Sequence, residues 1–250
     1  MKLSAVIITK NEEKNIKDCL ECLRFCDELI LVDSGSTDQT VSLAKAFGAT
    51  VHEREFRDFA SQKNYGIEKA GGEWVLLVDA DERVSEPLAG EIQKVLKNPE
   101  ATGYYFLRKN RLFGRWMRFG NNRRDYQLRL VLRKKAIFQG FVHERIYLSE
   151  KTVKLKESLL HYSTNHVSDY MKKLNTYAFL EAETLRLKGR RVSLRQMKYR
   201  PLVLFFRLAF IKAAVLDGIE GVIFSVFSAY YEFIRLAKQW ELNSKNGANT

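Results

Sequence analysis

The chain has 250 residues, enough to bury a proper core either as one large domain or as a domain with an appendage. Its 42 Lys and Arg outnumber 30 Asp and Glu, and the imbalance is uneven, with a net charge of −6 over residues 1–100 and +18 over the rest. A basic excess of this size points to a polyanionic partner: nucleic acid, an anionic membrane surface or a phosphorylated substrate. The three cysteines are odd in number and closely spaced, which excludes a disulfide framework and favours a reducing cytoplasm.

Strand and helix patterns alternate along the first hundred residues. Apolar runs bounded by turn residues predict strands, and segments with helical apolar spacing separate them. The predicted strands cover 3–9, 28–33, 50–53 and 74–78, and the predicted helices cover 15–25, 37–47 and 58–70. Such a βαβ series predicts an α/β fold with a parallel, doubly wound sheet, in which ligands bind beyond the carboxyl ends of the strands.

The most conspicuous strand end is "EWVLLVDADERV", where Asp79 and Asp81 follow an apolar run. In an extended segment, side chains two residues apart point the same way, so both carboxylates can converge on one object. Mg²⁺ or Mn²⁺ is the natural counter-charge, because one or two carboxylates with substrate phosphates commonly hold such ions. The alternative interpretation is that Asp79, Asp81 and Glu82 form a solvated loop and the N-terminal charges of the next helix.

Other polar residues also follow strand ends. Thr9 and Glu12 come after the first strand, and Asp33 ends the second, where we expect its carboxylate to be free to bond a ligand rather than tied into an Asx turn. Of the cysteines Cys19, Cys22 and Cys26, Cys19 lies with Ile16, Leu20 and Leu23 on the apolar spacing of a predicted helix, and no fourth cysteine could complete a four-thiolate site. We therefore interpret the thiols as buried or half-buried small hydrophobes rather than as a metal cluster.

From Gly103 the pattern changes to shorter strands, "GYYFLRK" and "YQLRLVLRK", separated by a basic and aromatic loop. After about His166 the chain is predicted to be helical, and charges interrupt its apolar stretches before they reach the length of a membrane span. These helices either lie in a membrane interface or pack as a helical subdomain. We therefore divide the chain into a domain over 1–165, a helical region over 166–242 and a disordered tail over 243–250.

The chain resembles the family 2 glycosyltransferases with the GT-A fold in three segments: "SAVIITKNEEKNI", "LILVDSGSTDQT" and "ASQKNYGIEKAGGEWVLLVDADERV". The wording "GEWVLLVDADERV", the later "VHE" and "LHYS" and the apolar helical C-terminus are most similar to the WaaE/KdtX-like lipopolysaccharide core glucosyltransferase group. The resemblance implies a Rossmann-like GT-A domain that binds a nucleotide sugar.

Position by position, the resemblance implies a donor site. Asp33 contacts the nucleotide base, Lys63 of "QKN" reaches the nucleotide, and Thr9 and Glu12 lie beside it. Of the Asp-x-Asp pair, Asp79 contacts ribose or metal and Asp81 binds the metal. His161 of "LHYS" completes the metal shell or touches the diphosphate, and a purely structural histidine is the alternative. The cofactor implied is Mg²⁺ or Mn²⁺.

The family is inverting, so one carboxylate is expected to act as general base on the acceptor hydroxyl. The Glu-Asp pair of many relatives is absent, and the best local match is "GFVHERIY", with His143 and Glu144. Asp125 is the competitor, and its alternative role is an ion pair with Arg123, Arg124 or Arg129. We predict Glu144 as the base.

The missing Gln-x-x-Arg-Trp motif of processive synthases favours a single sugar transfer. UDP-glucose is the first choice of donor, by resemblance, with a lipid-linked or lipopolysaccharide-core acceptor at the cytoplasmic face of the membrane. The basic and aromatic stretch around residues 108–124 suits an anionic membrane surface or a phosphorylated acceptor. We expect a peripheral membrane enzyme that does not bind nucleic acid. The alternative is a basic membrane- or nucleic-acid-binding protein that retains the fold without catalysis.

Overall fold

The structure is a computed structural model that describes residues 2–139, 145–146 and 148–247. The chain divides into two compact units. The first unit comprises Met1–Lys109 and Arg124–Tyr162, and the second comprises Asn110–Arg123 and Ser163–Thr250. The sequence analysis placed one boundary near residue 165 and did not anticipate that the segment 110–123 belongs with the C-terminal helices.

The elements alternate as predicted over the first hundred residues. In chain order they are β1 (Leu3–Thr9), α1 (Glu13–Glu21), β2 (Glu28–Asp33), α2 (Thr40–Ala46), β3 (Thr50–Glu53), α3 (Phe59–Lys69), β4 (Trp74–Asp79), β5 (Glu82–Val84) and α4 (Glu86–Lys97). The strands β6 (Gly103–Leu112), β7 (Arg115–Trp116), β8 (Tyr126–Leu132), β9 (Phe138–Gln139), β10 (Arg145–Ile146) and β11 (Thr152–Thr164) follow. The helices α5 (Val167–Leu187), α6 (Leu194–Phe206) and α7 (Ile219–Gly247) end the chain.

The main sheet has the strand order β3-β2-β1-β4-β8-β6-β11-β5. The first four strands pair in parallel, as the βαβ pattern predicted. Strand β8 pairs antiparallel with β4 and with β6, and β11 pairs antiparallel with β5. The sequence analysis missed β11, although Val153 and Leu155 alternate with lysines there in the period of a half-buried strand.

Helices cover both faces of the parallel strands, which explains why β4 is apolar without interruption. Trp74, Leu76 and Val78 belong to a core cluster that also contains the buried residues of α1 and α4. Val75 and Leu77 belong to a second cluster with the apolar residues of α3. Alternating side chains therefore enter two different cores.

The cysteines are buried or half-buried thiols, as predicted. Cys19 is fully buried in the first cluster, and Cys22 and Cys26 are partly buried. Burial raises the pKa of all three thiols above the ordinary cysteine value, because it disfavours the thiolate. These cysteines behave as packing residues.

In the second unit, the buried carboxylate of Asp217 accepts hydrogen bonds from the backbone N–H groups of Arg118 and Phe119, and it thereby holds the 110–123 segment. Helix α7 continues to Gly247, whereas the sequence analysis expected a disordered tail from residue 243. Asn243 donates a hydrogen bond to the Arg190 carbonyl, so a tertiary contact extends the helix beyond what its polar composition suggested. Among the helices described, none is long and apolar enough to cross a membrane.

Gly66 of α3 offers a test of how closely this helix packs on the sheet. A Cβ atom added at Gly66 would meet Val6 Cγ1 well inside van der Waals contact and lie 3.1 Å from Val32 Cγ2. We expect Gly66→Ala to lower the free energy of unfolding by about 1–3 kcal/mol, because the β-branched neighbours of the sheet cannot move aside.

The matched control is Gly90→Ala in α4, where an added Cβ meets nothing within 4 Å. We expect this variant to raise the free energy of unfolding by about 0.5–1 kcal/mol through helix propensity alone. Urea denaturation of the two variants measures both effects. An equal rise in the free energy of unfolding of both variants would show that α3 is not closely packed against the strands.

Candidate functional site

The two carboxylates of the Asp-x-Asp pair lie at the carboxyl end of β4. Strand β4 ends at Asp79, Ala80 and Asp81 form a turn, and β5 begins at Glu82. The prediction that the two carboxylates converge assumed an extended segment. Because a turn joins them instead, Asp79 contacts Lys63 and Arg129, whereas Asp81 contacts His161.

Asp79 lies between two cations. Its Oδ1 is 3.2 Å from Lys63 Nζ, and its Oδ2 accepts a hydrogen bond of 2.7 Å from Arg129. Burial alone would raise the pKa of Asp79, but the charges of Arg129 and Lys63 outweigh it and hold that pKa well below its usual range. Lys63 is itself buried, with its ammonium 5.3 Å from the centre of the Phe138 ring. Asp79 is therefore a fixed negative charge beside a buried lysine.

Glu82 is fully buried, so the interpretation of this residue as part of a solvated loop is wrong. Its Oε1 accepts a hydrogen bond of 2.5 Å from Arg129, and its Oε2 accepts one of 3.0 Å from the backbone N–H of Asp79. Burial would lower the pKa of Arg129, but Asp79 and Glu82 raise it further than burial lowers it. Arg129 thus pairs with both carboxylates, and Lys63 beside Asp79 and Arg108 beside Glu82 supply further positive charge.

The sequence analysis missed this role of Arg129, which it considered only as a partner of Asp125. The signal was present in "YQLRLVLRK", where a lone arginine interrupts an apolar strand and requires a buried counter-charge.

Asp125 forms an ion pair, but with a residue that was not predicted. Its Oδ2 accepts a hydrogen bond of 2.8 Å from Arg108 Nε, and its Oδ1 accepts one of 2.5 Å from Gln127. Of the partners considered from the sequence, Arg123 and Arg124 are exposed, and Arg129 pairs with Asp79 and Glu82. Their closeness in sequence was misleading, because β6 lies beside β8 and the Arg108 N–H bonds the Asp125 carbonyl. Arg108 also lies 3.5 Å from Glu82, which connects Asp125 to the buried cluster.

The other two predicted catalytic residues, His143 and Glu144, lie outside the described residues.

His161 reaches the Asp-x-Asp turn from β11. It pairs with Glu82 in the antiparallel register of β5 and β11, and the Tyr162 N–H donates to the Asp81 carbonyl at 2.8 Å. The His161 Nε2 atom lies 3.2 Å from Asp81 Oδ2, and each side chain is about one-sixth exposed, 16% and 15%. The sheet register therefore brings together two residues that are 80 positions apart.

The Asp81–His161 pair fits a divalent cation, because carboxylate oxygen and imidazole nitrogen are both ligands of Mn²⁺ and the carboxylate suits Mg²⁺. Within the part of the chain that the structure describes, no group of three or more metal-ligating side chains is gathered. An ion here would take its remaining ligands from substrate or water, which is common for Mg²⁺ bound with substrate phosphates.

Hydrogen bonds from Arg83 stabilise the turn that carries Asp81. Its guanidinium donates to the carbonyls of Ala80 and Glu82 at 2.8 Å each and to the Asn15 carbonyl at 2.9 Å. Cys22 Sγ accepts a hydrogen bond from the Val84 N–H. These hydrogen bonds fix the backbone of the turn and therefore the position of Asp81.

The remaining predicted donor residues lie at the carboxyl ends of β1 and β2. Asp33 is 1% exposed and accepts hydrogen bonds from Thr9 Oγ1, from the Gly35 N–H and from both the N–H and the hydroxyl of Ser36. The prediction that its carboxylate is free is wrong, because Gly35 at φ +81° folds the loop back onto it. Glu12 accepts a hydrogen bond of 2.7 Å from the Asn15 side chain. Contacts of Thr9, Glu12, Asp33 and Lys63 with a nucleotide stay predictions.

Removing Arg129 tests whether it neutralises the buried carboxylates. We expect Arg129→Met to lower the free energy of unfolding by about 3–5 kcal/mol, because it leaves the buried Glu82 with only the more distant Arg108, 3.5 Å away, as a described counter-charge. The control Arg124→Met changes an exposed arginine and is expected to stay within about 0.5 kcal/mol of the parent. Adding Glu82→Gln to Arg129→Met is expected to recover part of the loss in urea denaturation. Equal stability of the two single variants would contradict the charge balance described above.

The chain is similar in sequence to known glycosyltransferases. Residues 4–155 match the family described as Glycosyl transferase family 2. The lipopolysaccharide core biosynthesis glycosyltransferase LpsC of Rhizobium meliloti (strain 1021) is 30% identical over 250 residues, covering 96% of this chain and 93% of that protein. An uncharacterized glycosyltransferase of Rickettsia conorii (strain ATCC VR-613 / Malish 7) is 29% identical over 269 residues, covering 98% of this chain and 93% of that protein.

Two solved structures share the fold. The mannosyltransferase PcManGT of Pyrobaculum calidifontis, in complex with GDP-Man and Mn²⁺, has a TM-score of 0.56 at 14% identity and covers 95% of this chain and 86% of its own. The S. aureus TarS fragment 1-349, in complex with UDP-GlcNAc, has a TM-score of 0.51 at 17% identity and covers 99% and 92%. The predicted fold class is confirmed, and the chain belongs to glycosyltransferase family 2 as a glycosyltransferase of the GT-A fold.

Proposed function

We propose that this glycosyltransferase moves a single sugar, with inversion, from a nucleotide diphosphate donor to a lipid-linked or lipopolysaccharide-core acceptor. UDP-glucose is the donor of first choice, and Mg²⁺ or Mn²⁺ is the cofactor. The observation that carries the proposal is the Asp81–His161 pair on a rigid turn at the carboxyl end of β4, with Asp79 and Lys63 beside it. Ligands of open α/β sheets bind at this edge.

Asp81 and His161 are the residues that would hold the ion. When bound there, the ion would neutralise the charge that grows on the leaving nucleotide diphosphate. The chain itself supplies the orientation, since Arg83 and the β5–β11 register fix the positions of the two side chains. Such preorganisation is what electrostatic stabilisation of a leaving group requires.

Lys63 supports the donor-side role predicted for it. A buried ammonium beside Asp79 needs another anionic or polar partner if a nucleotide displaces part of that ion pair. A diphosphate or ribose hydroxyl near Asp79 would satisfy both groups. The resemblance assigned the ribose contact to Asp79 and the nucleotide contact to Lys63, and their distance of 3.2 Å supports one shared contact region.

Glu144 remains the proposed general base. Asp125, its competitor, already accepts hydrogen bonds through both carboxylate oxygens, from Arg108 and from Gln127. These bonds, the one from Arg108 charge-assisted, hold the Asp125 side chain in place between two neighbours. This favours a positioning role for Asp125 and leaves the acceptor proton to Glu144 or His143.

The acceptor class is proposed from the similarity to LpsC, whose name places it in lipopolysaccharide core biosynthesis. We propose that the enzyme acts at the inner face of the cell membrane as a peripheral protein and that nucleic acid is not a partner. A second candidate function is anion binding by a chain that retains the fold without catalysis, and the basic excess of +18 after residue 100 is the observation that favours it.

The donor class is tested by thermal unfolding with UDP, GDP, CMP and dTDP, each with and without Mn²⁺. A ligand that binds only the folded protein raises its unfolding temperature as its concentration rises. We expect UDP with Mn²⁺ to give the largest shift and UDP alone a smaller one. A folded protein that shifts with none of these nucleotides would favour the second candidate function.

Asp81→Asn tests the metal-side role directly. We expect it to reduce sugar transfer at least about 100-fold, because one preorganised charge stabiliser of the transition state is lost. The Mn²⁺-dependent part of the UDP shift is expected to disappear as well.

The control for this variant is Asp169→Asn, which changes an exposed aspartate of α5 that is paired only with the exposed Lys172 at 3.7 Å. We expect transfer and the nucleotide shift to be unchanged in this control. Transfer by Asp81→Asn at the parental rate would refute the assignment of Asp81.

A further inference from the structure

Helix α6 of the second unit contains no buried residue, although it is rich in large apolar side chains. From the middle of α6 to the end of the π-helical turn that follows, over residues 202–211, five such side chains are more than half exposed, and they form what we call the apolar patch: Leu202, Val203, Phe206, Phe210 and Ile211. Ile211 is 81% exposed and Phe206 is 55% exposed. Contiguous apolar exposure of this kind marks an interaction site rather than ordinary surface.

The apolar patch lies on one side of α6. Met197, Pro201, Leu204 and Phe205, at helical spacing, are half-buried, and α6 packs on α7. The patch residues occupy the remaining circumference, and the rings of Phe206 and Phe210 stack with centroids 5.9 Å apart. The helix therefore has one face that packs on its own unit and a second apolar face that the described residues of this unit leave exposed.

Along the segment that carries the patch, the charged residues are all basic. Between Glu183 and Asp217 the chain carries nine Lys and Arg and no Asp or Glu. Arg195, Lys198 and Arg207 are exposed on α6 and at its end. Long basic side chains can lay their methylene stems beside an apolar surface and extend their charges to an anionic one.

Exposed apolar side chains next to basic ones indicate which kind of partner fits this surface. A helix with Phe and Leu on one face, Lys and Arg around it and no acidic residue is the pattern of a segment that lies in the plane of an anionic membrane surface. Single-stranded nucleic acid fits less well, because Leu202, Val203 and Ile211 have no ring on which a base can stack. A second copy of the chain would bring nine further positive charges against the first nine.

We propose that the apolar patch of α6 inserts into the headgroup region of an anionic lipid bilayer, with Arg195, Lys198 and Arg207 contacting lipid phosphates. The inference rests on the proposed function, which puts the acceptor in a membrane, and it names the surface that meets that membrane. The α6 axis lies along the bilayer, and the patch enters the boundary between headgroups and acyl chains.

The test is flotation of the full chain with vesicles of phosphatidylcholine alone or with 30 mol% phosphatidylglycerol, a composition of about one-third anionic lipid. We expect binding to the anionic vesicles, weakened by salt. Phe206→Glu with Ile211→Glu is expected to weaken binding at least about 100-fold, since two inserted apolar side chains are replaced by carboxylates. Changing Arg195, Lys198 and Arg207 together to Gln is expected to weaken it on the order of 100-fold, about five-fold for each charge.

Phe179→Glu is the matched control, because Phe179 is 44% exposed on α5 and outside the patch. We expect it to bind vesicles like the parent. All variants are also tested for the thermal shift by UDP and Mn²⁺, which reports the first unit independently. If the protein bound vesicles but its unfolding temperature did not rise with UDP and Mn²⁺, the proposed function would be contradicted and this inference would stand.

Four outcomes would overturn the inference. The first is a parent protein that stays unbound to anionic vesicles at low salt, and the second is a Phe206→Glu, Ile211→Glu variant that binds them as tightly as the control. The third is a dimer of the parent, seen by sedimentation, that this variant dissociates, in which case a second copy covers the patch. Tight binding of an RNA homopolymer through the patch, with no binding to vesicles, would likewise exclude the bilayer.

Discussion

The guanidinium of Arg129 lies inside the first unit between the carboxylates of Asp79 and Glu82, and the geometry of the candidate site depends on this interaction. Three charges are withdrawn from most of their water at the end of β4, which is costly unless every charge is paired and hydrogen-bonded. The pairing is close, at 2.7 Å and 2.5 Å, and Glu82 also accepts the Asp79 N–H. The cluster therefore sets where β4 ends and how the chain turns afterwards.

That turn separates the two aspartates chemically. Asp79 is held by cations of the protein, Lys63 and Arg129, and is already neutralised before any ligand arrives. Asp81 lies 3.2 Å from the imidazole of His161, and carboxylate oxygen and imidazole nitrogen are both ligands of divalent cations. The two carboxylates of a sequence motif that looks symmetrical thus lie in different surroundings, one between two cations of the protein and the other beside an imidazole.

How far the sequence predicts this structure depends on the range of the interactions involved. The parallel strands and their helices follow from local apolar periodicity, and the residues at their carboxyl ends follow from the βαβ topology. Local reasoning failed where a partner comes from a distant strand. The Asp125–Arg108 pair depends on the β6–β8 register, and the burial of Glu82 depends on Arg129 from β8. The prediction of a free carboxylate at Asp33 failed for a different reason, because Gly35, with its positive φ, lets the loop fold back onto this side chain.

The second unit shows a contrast in how apolar side chains are used. In the first unit, the strand residues from Trp74 to Val78 are buried on both faces, and their area stabilises the fold. In α6, the apolar patch is exposed and contributes little to folding, and its exposure favours aggregation. Its basic surroundings oppose self-association by charge repulsion while leaving attraction to anions intact. The simplest explanation of exposed apolar side chains in a wholly basic segment is that they bind a partner. The same side chains would then lower the solubility of the protein and raise its affinity for lipid.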